Sequence, residues 1–472
     1  MRSVPAMRSR VDKPGRRAFL IGTATLLPLL VWWIGWFPGF LSGDSIDQLG
    51  QIARGDYSNQ HPAFHTLTMW LVMRLWDHPG MVTLAQVLAM AGLLALVAMR
   101  LARLGVPAWL AGGSAVAVAA LPAVGITTIA VWKDVAYTLA LLWVFAELLA
   151  IAVDRDRWGR TAVAAKIGAG LALVWLFRHN GFITVVVFGA TAVFMARRHR
   201  TAVLTMIGTL LGVVTAVNLV LYPLVGVDTE SIQPAGVFVP DVAASLIHHP
   251  EKFSGDELAY LETIAPLSVW QEQYDCHDST PLVFDPRFRR DRIAADAARF
   301  RSLVVSTYLR DPFTVIGHRW CTASYLFVPP QPADAYFHRP PFDIPPNTLG
   351  IARDPISYRV YSATLRVFDW VAPAERLWLT WRPALAVWAA ATTFGLLAWR
   401  RRLKPFIPVV ALIGAQIVNV VLTGPSQEFR FGFGIYLMCL LSVPLVWLVR
   451  GEPPDSKGGG GSGRSPLTEG EG

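Results

Sequence analysis

Two carboxylates lie close together in a polar segment that follows the first long apolar run of the sequence. Asp44 and Asp47 are three residues apart, so in a helix their side chains lie about one turn apart on one face. A carboxylate near an apolar boundary has a raised pKa and can act as a general base, and two carboxylates can divide acid and base roles. The alternative is structural, because Asp44 is also a suitable cap for a helix that begins at Ser45.

Two histidines follow in the same polar stretch. His61 and His65 are four residues apart and share a face of a helix, which makes them candidate metal ligands. No third ligand has a suitable spacing, and histidines that form hydrogen bonds at an interface explain the pair equally well. The cysteines Cys276, Cys321 and Cys439 match no metal-binding spacing. The sequence therefore argues against zinc, leaves a divalent metal open and predicts no bound organic cofactor.

Charged residues recur at three further corners between apolar runs. They are Lys133 and Asp134, Arg178 with Asn180, and Glu428 with Arg430, and Gln233 is a further polar candidate after the seventh run. Lysine and arginine suit phosphate oxygens, so these corners predict a site for an anionic group. Structural alternatives remain, since Lys133 and Asp134 can form a surface ion pair, Arg178 can snorkel from a helix end, and Glu428 with Arg430 can be a self-contained pair.

The elements that position these residues are membrane-spanning helices. Of the 472 residues, 53% are hydrophobic and only 16% are charged, which predicts an all-α polytopic membrane protein. Because the basic residues behind the net charge of +9 cluster between apolar runs, no nucleic-acid partner is expected. Ten runs approach the length of a span: 18–37, 80–99, 107–126, 134–153, 161–177, 181–196, 201–224, 383–399, 405–422 and 431–449.

The basic clusters predict the orientation of these spans. Arg16 and Arg17 precede the first run, so the N-terminus is expected in the cytoplasm, and alternation then places the other basic loops inside as well. The resulting division has five parts: a cytoplasmic segment 1–17, a seven-span domain 18–224 with its first outer loop at 38–79, an extracytoplasmic region 225–382, a three-span domain 383–449 and a disordered cytoplasmic tail 450–472. Cys276 and Cys321 share the outer side, where they are free to form a disulfide.

The outer motifs resemble, in order and spacing, those of GT-C membrane glycosyltransferases, and within that superfamily those of an uncharacterised bacterial multi-span family. The matching segments are Gly43-Asp44-Ser45, Asn59-Gln60-His61-Pro62, Trp132-Lys133-Asp134, Arg178-His179-Asn180-Gly181 and Glu428-Phe429-Arg430. They extend over most of the chain. The aspartates are spaced Asp-x-x-Asp rather than adjacent as in better-studied members, which leaves metal use and the role of Asp47 open.

The resemblance implies a sugar transfer outside the cytoplasm. The donor would be a sugar on a polyprenyl phosphate, the acceptor a hydroxyl of a glycan, lipid or protein, and Asp44 the base of a displacement that inverts the anomeric centre. The expected substrate-binding residues are His61, Lys133, Asp134, Arg178, Asn180, Gln233, Glu428 and Arg430, with the three cations on the leaving phosphate. The expected location is a bacterial inner membrane with both termini cytoplasmic. The rival interpretation is a transporter or flippase for a lipid-linked or anionic solute, whose charges should lie near mid-span.

Overall fold

A computed structural model describes residues 14–196, 199–229, 237–332 and 343–450. This part of the chain is helical and contains no β-strand. The basic segment before residue 14 and the tail after residue 450 lie outside the described residues. The first ten helices are α1 Pro14–Gly35, α2 Gly43–Arg54, α3 Ala63–Met73, α4 Pro79–Arg103, α5 Ala108–Ala120, α6 Pro122–Thr128, α7 Lys133–Val153, α8 Thr161–Phe177, α9 Gly181–Ala196 and α10 Arg200–Leu224.

Shorter helices follow before the chain returns to long apolar ones. The shorter set is α11 Val239–His248, α12 Gly255–Ile264, α13 Leu267–Glu272, α14 Thr280–Val283, α15 Arg290–Ala295, α16 Ala297–Arg310, α17 Pro312–Ala323, α18 Tyr358–Val371 and α19 Leu377–Thr380. The final set is α20 Ala384–Trp399, α21 Ile407–Thr423 and α22 Phe429–Ser442, the last continued by a 3₁₀ segment, Val443–Arg450.

Apolar helices occupy all ten of the predicted runs, and the chain is a multi-pass helical membrane protein. Among the described residues, six helices are long and apolar enough to cross a bilayer, and the bent pair α5 and α6 makes a seventh if it is one span. The helices α8, α9 and α20 have 17, 16 and 16 residues, which is at or below the shortest length for a span. The count of ten crossings therefore stays a prediction.

The run 107–126 is not one straight helix, and the sequence shows why. The axes of α5 and α6 differ by 66°, and the break falls directly before Pro122. Proline has no N–H to donate and its ring clashes with the preceding turn, so a helix stops or bends there. The change from α-helix to 3₁₀ geometry after Ser442 likewise falls next to a proline, Pro444.

The packed centre of the bundle is α7, which contacts α4, α8 and α22. Its side chains from Val135 to Ile151 are almost entirely buried. The helix α10 is the opposite case, because it is as apolar as α7 but only 11% of its most apolar stretch is buried inside the protein. An apolar surface left uncovered by protein is what a lipid-facing helix requires, so α10 belongs at the edge of the bundle.

Loops from distant parts of the sequence meet at one end of the bundle, which we call the site end. Three isolated β-bridges join them: Phe40 with Ala130, Ser58 with Asp228, and Asp278 with Ser426. The segment 38–79 is therefore connected to the start of α7 and to the segment after α10. The region between α10 and α20 is likewise connected to the corner before α22.

Residues 238–308 pack around a small hydrophobic core of their own, which includes the buried side chains of Leu261, Trp270 and Phe300. The helix α16 ends at Arg310, two residues before Pro312, and a break at Asp296 separates it from α15. The later helix α18 returns to the membrane part and packs on α1, where Trp36 Nε1 donates a hydrogen bond of 2.9 Å to Thr364 Oγ1.

Cys276 and Cys321 form the disulfide that the sequence left open, with Cα atoms 5.8 Å apart. The bond joins α17 to the strand-like segment that pairs with Ser426, because Asp278 of that segment forms the bridge. The backbone N–H of Gln427 also donates to His277 O at 2.9 Å. The disulfide therefore holds the segment that supports the corner before α22. Cys439 lies buried in α22 with a free thiol.

Replacing both cysteines, Cys276→Ala with Cys321→Ala, should lower the free energy of unfolding by roughly 2–4 kcal/mol, because the bond closes a long loop and restricts the unfolded chain. The sequence separation of the two cysteines is 45 residues. Thermal unfolding in detergent checks this, with and without a reducing agent. The reducing agent should lower the midpoint of the unmodified protein and leave that of the double variant unchanged; equal midpoints in all four samples would contradict it.

Candidate functional site

The helix that carries the two aspartates begins at Gly43, two residues earlier than the capping hypothesis requires. Ser42 is the N-cap of α2, and Ser42 and Ser45 exchange hydrogen bonds as a capping box. Ser45 Oγ also donates to Val131 O at 2.7 Å, which attaches the start of α2 to the corner before α7. The interpretation of Asp44 as the cap is therefore wrong. Asp44 lies in the first turn, where its side chain is not needed to start the helix.

Asp44 lies beside two groups from other segments of the site end. Its Oδ2 is 3.8 Å from Lys133 Nζ, and its Oδ1 is 3.8 Å from His61 Nε2. Lys133 Nζ and His61 Nδ1 are 3.1 Å apart. The side chain of Asp44 is 44% exposed, whereas those of His61 and Lys133 are about half as exposed. This triad of Asp44, His61 and Lys133 is open towards solvent on the carboxylate side.

The charges around Asp44 correct one prediction. Burial raises the pKa of Asp44, but Lys133, His61 and Arg430 together outweigh burial and hold it below its ordinary value of 3.8. The expected raised pKa is therefore wrong, and Asp44 is a carboxylate throughout the neutral range. Burial and then the ammonium of Lys133 lower the pKa of His61 below 6.5, so this imidazole is neutral at pH 7.

The tautomer of His61 follows from its neighbour. A protonated lysine can only donate, so His61 Nδ1 accepts from Lys133 and the ring proton of the neutral imidazole lies on Nε2. That nitrogen faces Asp44. The carboxylate therefore has an N–H on one side and an ammonium on the other, and both favour its ionised form.

Asp47 lies one turn further along α2, and its side chain makes a different contact. Its Oδ2 accepts a hydrogen bond of 2.8 Å from Gln51 Nε2, and the residue is exposed. It contacts neither Lys133 nor His61 in the described hydrogen bonds and ion pairs. A shared acid and base role with Asp44 stays a prediction.

Lys133 and Asp134 do not pair with each other, so that structural alternative is wrong. Both lie at the start of α7, and consecutive helical residues point about 100° apart. Lys133 therefore reaches the triad, whereas Asp134 Oδ1 turns inward and accepts from Arg178 Nη1. Asp134 is 1% exposed and Arg178 is 9% exposed. The guanidinium also lies over the ring of Phe431, 4.9 Å from its centroid.

The corner that supplies Arg178 requires glycine at its end. A Cβ atom on Gly181 would lie 2.2 Å from the carbonyl oxygen of Val174, so the chain cannot turn this tightly with a larger residue. Asn180 in the same corner donates a hydrogen bond of 2.8 Å from Nδ2 to Thr423 Oγ1 at the end of α21. The predicted Arg-x-Asn-Gly motif therefore joins α8, α9 and α21 at the site end.

Glu428 and Arg430 form the self-contained pair that the sequence offered as an alternative. Arg430 Nε is 2.5 Å from Glu428 Oε2, and Ser426 Oγ donates to the other carboxylate oxygen at 2.9 Å. The guanidinium also lies 5.2 Å from the ring centroid of Trp132. Its positive charge still contributes to the low pKa of Asp44. A contact with substrate stays a prediction for this arginine.

Two predicted candidates remain outside this arrangement. Gln233 lies outside the described residues. His65 is buried in α3 and its Nδ1 is 3.2 Å from Gln48 Oε1, so it does not share a metal site with His61. In the part of the chain that the structure covers, the one group of three possible metal ligands is Cys276, His277 and Cys321, and there the two sulfurs are bonded to each other.

Sequence reasoning missed two aromatic residues at the site. Trp132 Nε1 donates to Ser42 Oγ at 3.1 Å, so this indole connects the cap of α2 to Arg430. Tyr325 lies within electrostatic range of Arg178 and Glu428, is 1% exposed, and its hydroxyl has no hydrogen-bond partner among the described residues. Trp132 stands in a quoted motif and could have been selected, whereas no spacing or composition marks Tyr325.

An apolar groove of about 570 Å³ leads away from the site between α3, α4, α7 and α8. At one end it is lined by His65, four residues after His61, and by Phe177, which precedes Arg178; at the other it reaches Glu147 and Lys166. Its walls are otherwise almost entirely aliphatic and aromatic side chains. A groove of this kind is suited to the hydrocarbon chain of a lipid.

The fold and the site define a class: a multi-pass helical membrane protein with a cluster of ionised side chains at one end of its bundle. The chain belongs to a family of unknown function, DUF6020, whose model matches residues 54–316, more than half of its length. The match includes His61, Lys133, Asp134 and Arg178 and begins ten residues after Asp44.

Two further comparisons were informative to different degrees. No curated protein matches the sequence. A solved structure of the S. cerevisiae protein O-mannosyltransferase Pmt1-Pmt2 complex bound to the sugar donor is similar at 16% identity and a TM-score of 0.38, over 50% of this chain and 37% of that chain. The chain thus spans well under half the length of that protein, and a similarity this low carries no argument about function.

Proposed function

We propose that this protein is a membrane glycosyltransferase of the GT-C type, which moves a sugar from a polyprenyl-phosphate donor to an acceptor hydroxyl outside the cytoplasm. The observation that carries the proposal is the half-exposed carboxylate of Asp44, ionised by Lys133 and His61 and not needed to cap its helix. The order and spacing of the motifs, which resemble those of GT-C enzymes, supply the reaction class.

In the proposed reaction Asp44 accepts the proton of the acceptor hydroxyl as its oxygen attacks the anomeric carbon. The bond from that carbon to the phosphate oxygen breaks, and the polyprenyl phosphate leaves with the electron pair. One displacement inverts the anomeric centre. The proton remains on Asp44 until it is released to water.

The contacts of the three expected cations indicate which of them are able to bind the phosphate of the donor. Arg178 is buried against Asp134, so it is a poor candidate to meet the donor. Arg430 donates a hydrogen bond to Glu428 from Nη2, its Nε lies close to the same carboxylate as an ion pair, and its Nη1 takes part in no described hydrogen bond. Lys133 keeps two of its three donors after its contact with His61. Lys133 and Arg430 are therefore the proposed ligands of the leaving phosphate, and the apolar groove beside His65 is the proposed seat of the lipid chain.

A direct transfer assay tests the proposal. The purified protein in nanodiscs is incubated with a panel of polyprenyl-phosphate sugars, each carrying radiolabelled sugar, and with envelope glycans from cells that lack the protein. Label should move to the glycan, and the glycan of the deletion strain should lack that one sugar. An unchanged envelope glycan in the deletion strain, together with no transfer from any donor, would overturn the proposal.

The proposed location is a bacterial inner membrane, with the site end outside and both termini in the cytoplasm. A periplasm-dependent reporter fused after Glu251 should be active, because that residue lies in the region between α10 and α20, on the side of the triad. A fusion after Arg160, in a basic loop at the other end of the bundle, is the matched control and should be inactive. The reverse pattern would contradict the orientation.

The charge of Lys133 should control the pH dependence of transfer. A base is active as the carboxylate, so its low pKa keeps Asp44 active well into the acidic range. Lys133→Met removes the nearest cation, which raises the pKa of Asp44, and the acidic limb of the rate profile should move to higher pH. Lys166→Met, at the far end of the groove, should leave the limb in place. If the transfer rates of both variants fall at the same acidic pH, Lys133 does not control the pKa of Asp44.

A further inference from the structure

A second cleft, separate from the triad, opens at the site end between α2, the connection from α3 to α4, and residues 349–354. We infer that it binds a neutral oligosaccharide, the chain of the acceptor that presents its hydroxyl to Asp44. The cleft has a volume of about 880 Å³, within the range of ligand-binding pockets. The inference names the acceptor class of the proposed transfer and rests on that function in this respect.

One wall of the cleft is a flat aromatic surface. The rings of Phe37, Trp76 and His78 are nearly parallel, with interplanar angles between 6° and 19° and centroids 4.8 to 5.7 Å apart. Each of the three pairs is stacked, so the rings form one compact aromatic cluster. Trp76 and His78 of this cluster line the cleft, and Trp76 is 45% exposed. A flat, partly wet aromatic face is suited to the apolar C–H face of a sugar ring.

The polar groups of the cleft favour an uncharged ligand. Arg74, Asp77 and Asp354 line it and are all exposed. Arg74 lies over the ring of Trp70, another residue of the cleft, 4.5 Å from its centroid. The two carboxylates and one guanidinium give the cleft a net negative charge, which disfavours a phosphate or an anionic headgroup. Carboxylates accept hydrogen bonds in pairs and a guanidinium donates them in pairs, so the three groups together suit neighbouring hydroxyls.

The cleft and the proposed base, Asp44, lie on opposite sides of α2. Leu49 and Ala53 of α2 line the cleft. At 100° per residue, Ala53 lies opposite Asp44 on the helix, and an α-helix with its side chains is about 10–12 Å across. A single sugar bound in the cleft therefore cannot contact Asp44. An oligosaccharide of several sugars can bind in the cleft with one part and reach Asp44 with its end.

Binding should be measured apart from transfer. The protein in nanodiscs is applied to a printed array of neutral and anionic bacterial oligosaccharides, and the best neutral binder is then titrated in solution. Trp76→Ala should weaken that binding at least tenfold. Trp109→Ala is the matched control, because Trp109 is also an exposed tryptophan, 72% accessible, but lies at the start of α5. It should bind as the unmodified protein does, and so should Asp44→Asn.

Each outcome decides between alternatives. Binding that is lost in Trp76→Ala and kept in Trp109→Ala supports the cleft. The absence of any neutral binder on the array, or equal binding by both tryptophan variants, would overturn it, as would displacement of the sugar by phosphatidylglycerol vesicles. If Trp76→Ala does not fold, Asp354→Asn replaces it, because this exposed carboxylate can change without opening a cavity. Transfer that persists in Asp44→Asn while binding fails in Trp76→Ala would refute only the proposed function.

Discussion

Asp44→Asn should reduce sugar transfer by about 100-fold or more while the amount of folded protein stays the same. Asparagine keeps the size of the side chain and its hydrogen bonds but cannot accept the proton of the acceptor hydroxyl. Stability should change little, because Ser42 and not Asp44 caps α2. Binding of the lipid-linked donor should survive, since the phosphate ligands are on other segments. Initial rates with a radiolabelled donor, beside a donor-binding titration, measure both quantities.

The matched control for this variant is Asp56→Asn. Asp56 is an exposed aspartate of the same loop, two residues after the end of α2, and is not part of the triad. Its rate should remain within about threefold of the unmodified rate, as expected for a surface substitution. Asp47→Asn then decides the open question of the pair: a loss comparable to that of Asp44→Asn assigns a second role to Asp47. If purified Asp44→Asn protein transfers sugar at the unmodified rate, Asp44 is not the catalytic base.

Arg178→Gln should destabilise the protein by about 3–5 kcal/mol, because it leaves the carboxylate of Asp134 charged and unpaired in the interior. The two side chains are almost completely buried, and the second oxygen of Asp134 has no hydrogen-bond partner among the described residues. Asp134→Asn should cost a similar amount. Combining the two should cost clearly less than the sum, because the double variant buries no unpaired charge. Unfolding followed in detergent supplies the four free energies of this cycle.

Arg160→Gln is the control for the cycle. Arg160 also pairs with an aspartate, Asp154, at 3.3 Å, but its side chain is 58% exposed. Exposed ion pairs contribute between zero and about 1 kcal/mol, so this variant should be nearly as stable as the unmodified protein. If Arg178→Gln were equally stable and bound the donor more weakly, Arg178 would be a phosphate ligand after all, as the sequence first suggested.

Much of the architecture could be read from the sequence because the membrane imposes a simple rule. Backbone groups in lipid must be satisfied within a helix, so long apolar runs such as 134–153 become helices whatever surrounds them. The same rule locates polar residues at helix ends, which is why short motifs far apart in sequence could be expected to meet. The structure brings Asp44, His61 and Lys133 together from three such segments.

The pairing of these residues was decided by the tertiary structure. Lys133 and Asp134 are adjacent in sequence, but the turn of α7 directs the first to Asp44 and the second to Arg178. A sequence contains the charges but not the distances, and an electrostatic interaction depends on distance and burial. The pKa of Asp44 shows this most clearly, since burial alone predicts a raised value and the neighbouring cations reverse it.

The amino-acid sequence by itself determined the class of protein, the positions of the apolar helices and the set of polar residues at the site end. It could not select Tyr325, or the cleft beside Trp76, because neither depends on a repeated spacing. Both arise where segments separated by hundreds of residues pack together. Local sequence fixes local helices through backbone hydrogen bonding, whereas partners across the bundle are chosen by the packing of all the helices at once.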